Sequence, residues 1–213
     1  MLRTTHELLR HDVQATDGAI GTIRDFLFDD SSWTVRNIIV DTNGLLAHHD
    51  VLITPDHVVD LEFPAESMVL DLTKADVEGA ADAATSPPVS KQDGGGQSAV
   101  SNSDPHLRSV REVATYRVAA MDAAMGDVRD LVIETSTWTI RYLIVDTGEW
   151  LGDKLVLLGP NAITAIVWRD QAIETNLTAD AIRHCPAYDG QAELTRDYEA
   201  FLHDYYGWPP YWS

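Results

Sequence analysis

Short apolar stretches separated by turn-forming residues dominate the chain and predict a mainly β protein. Residues 33–42, 51–54 and 57–63 are rich in Val, Ile and aromatic side chains, and Asp, Asn, Gly and Pro separate them. Such strands recur at intervals of roughly 8–12 residues, which is typical of a small barrel or sandwich. The pattern therefore predicts compact β modules.

The strand pattern occurs twice. The motif Gly-Thr-Ile-Arg-Asp at Gly21 recurs as Gly-Asp-Val-Arg-Asp at Gly126. In the same way, Trp-Thr-Val-Arg at Trp33 recurs as Trp-Thr-Ile-Arg at Trp138. Equivalent residues lie about 105 positions apart along both stretches, which indicates two tandem copies of one module. At roughly 70–80 residues, each copy is near the lower size limit for an independent core, so packing between modules or chains is expected to matter.

A short helix is predicted after the strands of each copy. Thr73 is a suitable N-cap for a helix over residues 74–84, and Asp76 stands where a capping box requires an acidic residue. Thr178 is a suitable N-cap for a second helix over residues 179–185, which a proline ends.

A longer amphipathic helix is predicted over residues 191–206, ended by Gly207 and two prolines. Its apolar stripe consists of Leu194, Tyr198, Phe201, Leu202 and Tyr205.

Composition divides the chain into four parts. Residues 1–84 and 106–186 are the two predicted modules, and residues 187–213 are the C-terminal helix with an aromatic tail. Residues 85–105 are rich in Gly, Ser, Ala and Pro and nearly lack large apolar side chains, which predicts a flexible linker. The linker is long enough for the modules to pair within one chain or to exchange between two chains.

Charge narrows the range of partners. The chain has 34 acidic and 15 basic residues, a formal net charge of −19. Direct binding to nucleic acid or to an anionic membrane draws on clustered cations, which this sequence lacks. With a single cysteine, no signal peptide and no long apolar run, we expect a cytoplasmic protein without disulfides or a membrane span.

The ordered motifs of each copy resemble the PRC-barrel family. The resemblance rests on Gly-x-(Ile/Val)-x-Asp, then Trp-x-(Val/Ile)-Arg-x-(Ile/Leu)-Ile-Val-Asp-Thr, then Val-Leu and a proline in the next turn, over about residues 2–78 and 107–183. It implies two small PRC-type β-barrels of about six strands in tandem, with short helices after each and a C-terminal amphipathic helix. The family includes the cytoplasmic domain of the photosynthetic reaction-centre H subunit and a ribosome-maturation factor. The resemblance thus implies an assembly or adaptor role. The membrane helix of the first relative and the additional N-terminal domain of the second have no counterpart here.

One charged pair recurs in both copies. Pairing Phe28 with Trp33 across a hairpin would place Asp25 opposite Arg36, and the same register would place Asp130 opposite Arg141. We expect these to be structural cross-strand pairs worth about 0.2–1 kcal/mol each, the alternative being a charged ligand site.

Other polar clusters predict no catalytic, metal or cofactor site. His48, His49 and Asp50 with His57 could suggest a metal site, but the second copy does not preserve it, and a solvated loop is expected. Cys185 follows His184 directly, and adjacent helical residues do not face each other, so we expect a packing cysteine.

The C-terminal region is the predicted interface. Its candidate residues are Tyr198, Phe201, Leu202, Tyr205, Trp208, Tyr211 and Trp212. They pack either on their own module or on another subunit, and we expect a homodimer with unidentified protein partners. The predicted function is a non-enzymatic, soluble scaffold or interaction protein. Two alternatives are a reaction-centre H-subunit-like role in complex assembly or electron transfer, and ribosome or RNA maturation through a protein partner.

Overall fold

The computed structural model describes residues 1–9, 11–42, 50–92, 104–148, 154–190 and 193–212. Over these residues the protein is mainly β, as predicted, with fourteen strands in mixed parallel and antiparallel pairing and several short helices. The strands are β1 (Leu2–Thr4), β2 (Asp12–Ala15), β3 (Gly18–Asp29), β4 (Thr34–Asp41), β5 (Asp50–Ile53), β6 (Val58–Glu62), β7 (Ser67–Leu70), β8 (Leu107–Ser109), β9 (Arg117–Ala119), β10 (Ala124–Glu134), β11 (Thr139–Asp146), β12 (Leu155–Leu158), β13 (Ile163–Val167) and β14 (Ala172–Thr175). The helices are α1 (Thr5–Leu8), α2 (Lys74–Glu78), α3 (Val89–Gln92), α4 (Val110–Val113), α5 (Ala179–His184) and α6 (Arg196–Tyr206).

The chain forms two compact units. The first consists of Met1, Arg3–Val113 and Ile133–Ile140, and the second of Leu2, Ala114–Val132 and Arg141–Ser213. Residues 106–113, which the sequence predicts to begin the second module, cluster with the first unit, because β8 pairs with β3.

In the first unit, β3 pairs antiparallel with both β2 and β4, and β4 pairs with β5. β2 also pairs in parallel with β7, and β7 pairs antiparallel with β6. The apolar residues that alternate along these strands form a buried core that includes Val13, Phe26, Phe28, Ile38, Val40, Val51, Met68 and Leu70.

The second unit has pairings of the same kind. β9 pairs antiparallel with β10, β11 with β12, and β13 with β14, while β14 runs parallel to β9. One of its buried clusters contains Val132, Tyr142, Ile144, Leu157, Tyr188 and Leu202.

Equivalent glycines make the same close backbone contact in the two units. A Cβ atom at Gly21 would lie 1.9 Å from the carbonyl oxygen of Asp41, and one at Gly126 would lie 1.9 Å from that of Asp146. Neither position has room for a side chain, so the backbone approach requires glycine there. The recurrence of this contact explains why both motifs carry glycine.

The predicted helix caps are confirmed, while two helix lengths are wrong. Thr73 and Asp76 form the capping box of α2, and the hydroxyl of Thr178 caps α5. However, α2 ends at Glu78, five residues after its N-cap, where Gly79 forms the C-cap. α6 begins only after its N-cap, Thr195, because that hydroxyl accepts the bond from the amide of Tyr198.

The predicted linker is described only in part. A 3-10 helix over Ala83–Thr85 and helix α3 lie at its start, and the side chain of Gln92 donates a hydrogen bond to the carbonyl oxygen of Asp104 at 3.0 Å. Residues 93–103 lie outside the described residues, as do His48 and His49 of the predicted loop.

Candidate interaction surface

The predicted pairing of Asp25 with Arg36 is wrong. Asp25 lies opposite Ile39, and the guanidinium of Arg36 instead contacts the carboxylate of Asp29 at 2.7 Å. The register between β3 and β4 shifts twice, and Trp33 adopts a left-handed conformation (φ 58°) at the end of the hairpin turn. These irregularities displace the pairing that regular alternation would give.

Asp25 instead holds the segment that contains β8 and α4. Its carboxylate accepts hydrogen bonds from the hydroxyl of Ser109 at 2.5 Å and from the backbone amides of Arg111 at 3.1 Å and Phe26 at 2.8 Å. Burial raises the pKa of Asp25, and these hydrogen bonds counteract the rise only partly. Asp25 is thus a buried structural carboxylate that caps α4.

In the second unit, Asp130 contacts a backbone amide and Arg141 contacts an aromatic ring. The carboxylate of Asp130 accepts from the amide of Leu131 at 2.8 Å, which matches the bond between Asp25 and the amide that follows it. The guanidinium of Arg141 lies 3.9 Å from the ring centre of Tyr211, a cation–π contact. The pairing of Asp130 with Arg141 stays a prediction.

The inner face of α6 packs on its own unit. Leu202 is completely buried in the cluster formed around β11 and β12, and Tyr198 and Tyr206 pack against the same cluster. Leu202 therefore fills the core of this unit and is unavailable to another subunit, which corrects its assignment to the interface.

A buried polar network joins α6 to β11. The hydroxyl of Tyr142 donates to Glu199 Oε1 at 2.9 Å and lies 2.9 Å from His203 Nε2, and the hydroxyl of Tyr211 also donates to Glu199. Arg196 Nη1 contacts the other oxygen of Glu199 at 2.9 Å. The network thus neutralises and solvates a carboxylate that is almost fully buried.

Burial shifts the protonation of this network. Burial lowers the pKa of His203, since desolvation disfavours the imidazolium ion. Burial also raises the pKa of Tyr142, and the nearby negative charge of Glu199 raises it further. Sequence reasoning missed this network, although Glu199 and His203 lie four residues apart and so share one helix face.

The aromatic tail folds back onto α6. Gly207 ends the helix in a left-handed conformation, the amide of Trp208 donates to the carbonyl oxygen of His203, and His203 Nδ1 lies 3.1 Å from the carbonyl oxygen of Pro209. The rings of Trp208, Tyr211 and Trp212 all pack around His203. The tail therefore packs on its own unit, one of the two alternatives that the sequence left open.

The outer face of α6 exposes two aromatic side chains beside the exposed residues Asp197, Ala200 and Asp204. Phe201 is 61% exposed and Tyr205 is 38% exposed, and they lie one helical turn apart. The hydroxyl of Tyr205 donates to the carbonyl oxygen of Ala181 at 2.7 Å, which orients its ring on α5. We call Phe201 and Tyr205 the aromatic ridge.

Cys185 is a buried residue at the end of α5, as expected. Burial raises the pKa of its thiol, which disfavours the reactive thiolate. The ammonium group of Lys154 donates to the carbonyl oxygens of Arg183 and Cys185, so it caps the end of this helix.

The first unit carries a shallow groove of about 270 Å³ beside β6. It is lined by Met1, Val58, Val59, Asp60, Leu61, Phe63, Thr135, Ser136 and Trp138. Among the described residues, no three His, Cys, Asp or Glu side chains lie together as a metal site.

Comparison with known proteins relates the second half of the chain to one family. The family model of the PRC-barrel domain matches residues 108–189, which lie in the second unit except for residues 108–113 and 133–140 of the first. No curated protein matches the chain significantly. Within the described residues, no helix is long and apolar enough to cross a membrane.

Proposed function

We propose that this protein is a non-enzymatic, cytoplasmic scaffold built from two PRC-type β-barrels in tandem. The match over residues 108–189 supports the assignment for the second module. For the first module, support comes from the repeated motifs, the repeated strand pairings and the equivalent close contacts at Gly21 and Gly126.

The proposed scaffold binds a protein partner through the aromatic ridge. The single observation that carries this proposal is the exposure of Phe201 on a helix whose opposite face is fixed by Leu202 and Glu199. Exposed aromatic side chains on a rigid element lose little entropy on binding and contribute strongly to interfaces. The surrounding surplus of acidic residues favours a partner with a basic surface.

Affinity purification from the native cell tests this function. Phe201→Asp would introduce a charge at the centre of the ridge, and Ala200→Asp would add the same charge at an exposed neighbouring position. We expect a partner that the wild type and Ala200→Asp retain but Phe201→Asp loses, with unchanged stability of both variants. Identical protein sets from all three baits would contradict a role for the ridge.

A further inference from the structure

Residues 104–113, here called the docking segment, form an added strand and helix on the first unit. Its strand β8 pairs antiparallel with β3, where Ser109 lies opposite Leu27 and Leu107 lies opposite Asp29. The docking segment thus completes one side of β3, here called the acceptor edge.

The docking segment contributes its apolar side chains to the core of the first unit. Leu107, Val110 and Val113 are buried, the last two completely. Without its segment, the acceptor edge would therefore expose the apolar surface that these three side chains cover.

Polar contacts make the docking specific. Asp25 binds the Ser109 hydroxyl and the amide of Arg111, as described above. Asp30 forms an ion pair with Arg108 and lies 2.7 Å from His106 Nδ1. Asp25 on β3 and Asp30 directly after it therefore recognise a hydroxyl, a backbone amide and a cation on the docking segment.

The same segment type begins both repeats. Leu-Arg-Ser-Val-Arg-Glu-Val starts at Leu107, and Leu-Arg-Thr-Thr-His-Glu-Leu starts at Leu2. The hydroxyl of Ser109 accepts the amide of Glu112 at 3.1 Å, as the hydroxyl of Thr4 accepts that of Glu7. Leu107 clusters with the first unit, whereas Leu2 packs against the core of the second. The leading leucine of each repeat therefore lies in the unit formed mainly by the other repeat.

We infer that the acceptor edge of one chain binds the docking segment of a second copy of this chain, which gives a strand-exchanged dimer. On the acceptor side, these contacts are made by β3 and by the side chain of Asp25. The same contacts can therefore form whichever chain supplies the docking segment. The connection over residues 93–103 is rich in Gly and Ser. Exchange of an identical element between protomers is a low-cost route to a dimer.

This inference deepens the proposed scaffold function by naming one partner. Docking within one chain is favoured by the effective concentration that a short connection provides. Exchange therefore requires refolding at high protein concentration, where the ratio of dimer to monomer rises about tenfold for each tenfold rise in concentration.

Cysteine pairing between two different variants tests the exchange. Asp29→Cys marks the acceptor edge and Leu107→Cys marks the docking segment, each in a Cys185→Ala background, and the two positions lie opposite each other. The two variants are unfolded together, refolded at about 100 μM and oxidised. We expect a disulfide-linked heterodimer on a non-reducing gel from the mixture, and none from either variant refolded separately.

Two controls show whether the two cysteine positions can form a disulfide and whether docking of the segment depends on Asp25. A chain with both cysteines forms an internal disulfide on refolding at low concentration if the positions can be bridged. Adding Asp25→Asn to the acceptor variant lowers the heterodimer yield, whereas Asp60→Asn, whose carboxylate also binds the following amide, leaves it unchanged.

The oligomeric state of the unmodified chain tests the exchange independently. Light scattering after refolding at about 100 μM is expected to show dimer that is absent after refolding at about 1 μM. Monomer alone at both concentrations would overturn the inference, as would internal disulfides in the double variant without linked heterodimer in the mixture. Either failure leaves the partner test at Phe201 unaffected, because that residue lies outside the acceptor edge.

Discussion

Trp33 and Trp138 share a left-handed backbone conformation and exchange equivalent hydrogen bonds. Their φ angles are 58° and 52°. The carbonyl oxygen of Trp138 accepts from the amide of Val35 at 2.8 Å, and that of Trp33 accepts from the amide of Ile140 at 2.7 Å. Both turns lie in the first unit. A bulky residue rarely adopts this conformation, so the two hairpins share an unusual backbone feature at Trp33 and Trp138.

Gly21→Ala is expected to destabilise the protein strongly. The new methyl group would overlap the carbonyl oxygen of Asp41, so β3 and β4 would have to separate. Overpacking of this kind costs about 1–3 kcal/mol in the free energy of unfolding, which urea denaturation measures. Gly126→Ala should cost a similar amount, and Thr22→Ala is the control on the same strand. Equal stability of Gly21→Ala and the wild type would contradict the close contact.

The sequence predicted the features that depend on neighbouring residues. The capping box of Thr73 and Asp76 spans four residues, and the N-cap at Thr178 depends on its own turn, so both follow from local chemistry. The mainly β fold was predicted from short stretches rich in Val, Ile and aromatic residues that turn-forming residues separate. The repeat showed that glycine recurs at Gly21 and Gly126, whereas the reason, a close approach to a carbonyl oxygen of the neighbouring strand, depends on tertiary packing.

The features that depend on register and tertiary packing were not predictable in this way. A regular hairpin predicts that Asp25 pairs with Arg36, whereas Phe28 pairs with Val35 and the register shifts between Leu27 and Phe28, so that Asp25 lies opposite Ile39 and binds the docking segment. Glu199 and His203 were overlooked because their partner, Tyr142, lies far away in the sequence. The sequence places Phe201 and Leu202 on one apolar stripe, whereas in the structure Leu202 is buried and Phe201 is exposed, which depends on how α6 packs on its unit.

Asp25→Asn is expected to destabilise the first unit by about 1–2 kcal/mol near pH 4, because an amide replaces a carboxyl group that binds Ser109 and Arg111. The pKa of Asp25 is raised in the folded state, so folding binds a proton and the contribution of this group declines as pH rises above 3.8. The deficit of the variant should therefore shrink between about pH 4 and pH 7. Urea titrations across this range measure it. A deficit that grows with pH would contradict the raised pKa.

Glu199→Ala is expected to destabilise the second unit by about 2–4 kcal/mol, because it removes the carboxylate that accepts from the hydroxyls of Tyr142 and Tyr211 and pairs with Arg196. Glu199→Gln should cost less, since the amide oxygen still accepts one of these bonds. Tryptophan fluorescence during urea unfolding reports this change through Trp208 and Trp212. If Glu199→Ala matched Glu199→Gln in stability, the network would not fix the helix.

The stability of the second unit is expected to fall at mildly acidic pH through His203. Its pKa is lowered in the folded state by burial, so the unfolded chain binds the proton first. The stabilisation is complete above the ordinary value of 6.5 and is lost as pH falls below it toward the folded-state pKa. Unfolding midpoints between about pH 5 and pH 8 should decline less in His203→Gln than in the wild type. Parallel profiles for the two proteins would exclude His203 as the titrating group.

A double-mutant cycle can decide whether Asp29 or Asp25 is coupled to Arg36. The structure places its guanidinium 2.7 Å from Asp29 and 3.7 Å from Asp104, and puts Asp25 opposite Ile39. Asp29→Ala and Arg36→Ala should therefore show a coupling energy of about 0.2–1 kcal/mol, the range for partly exposed ion pairs.

The cycle of Asp25→Ala with Arg36→Ala is the matched control, and we expect its two effects to add, because the side chains share no contact. Urea denaturation of the two single variants and the double variant provides each coupling energy. Measurements in about 0.5 M salt should weaken the coupling of Arg36 with Asp29, because added ions screen exposed charges. Coupling of Arg36 to Asp25 instead would restore the regular hairpin register and contradict the strand pairing described here.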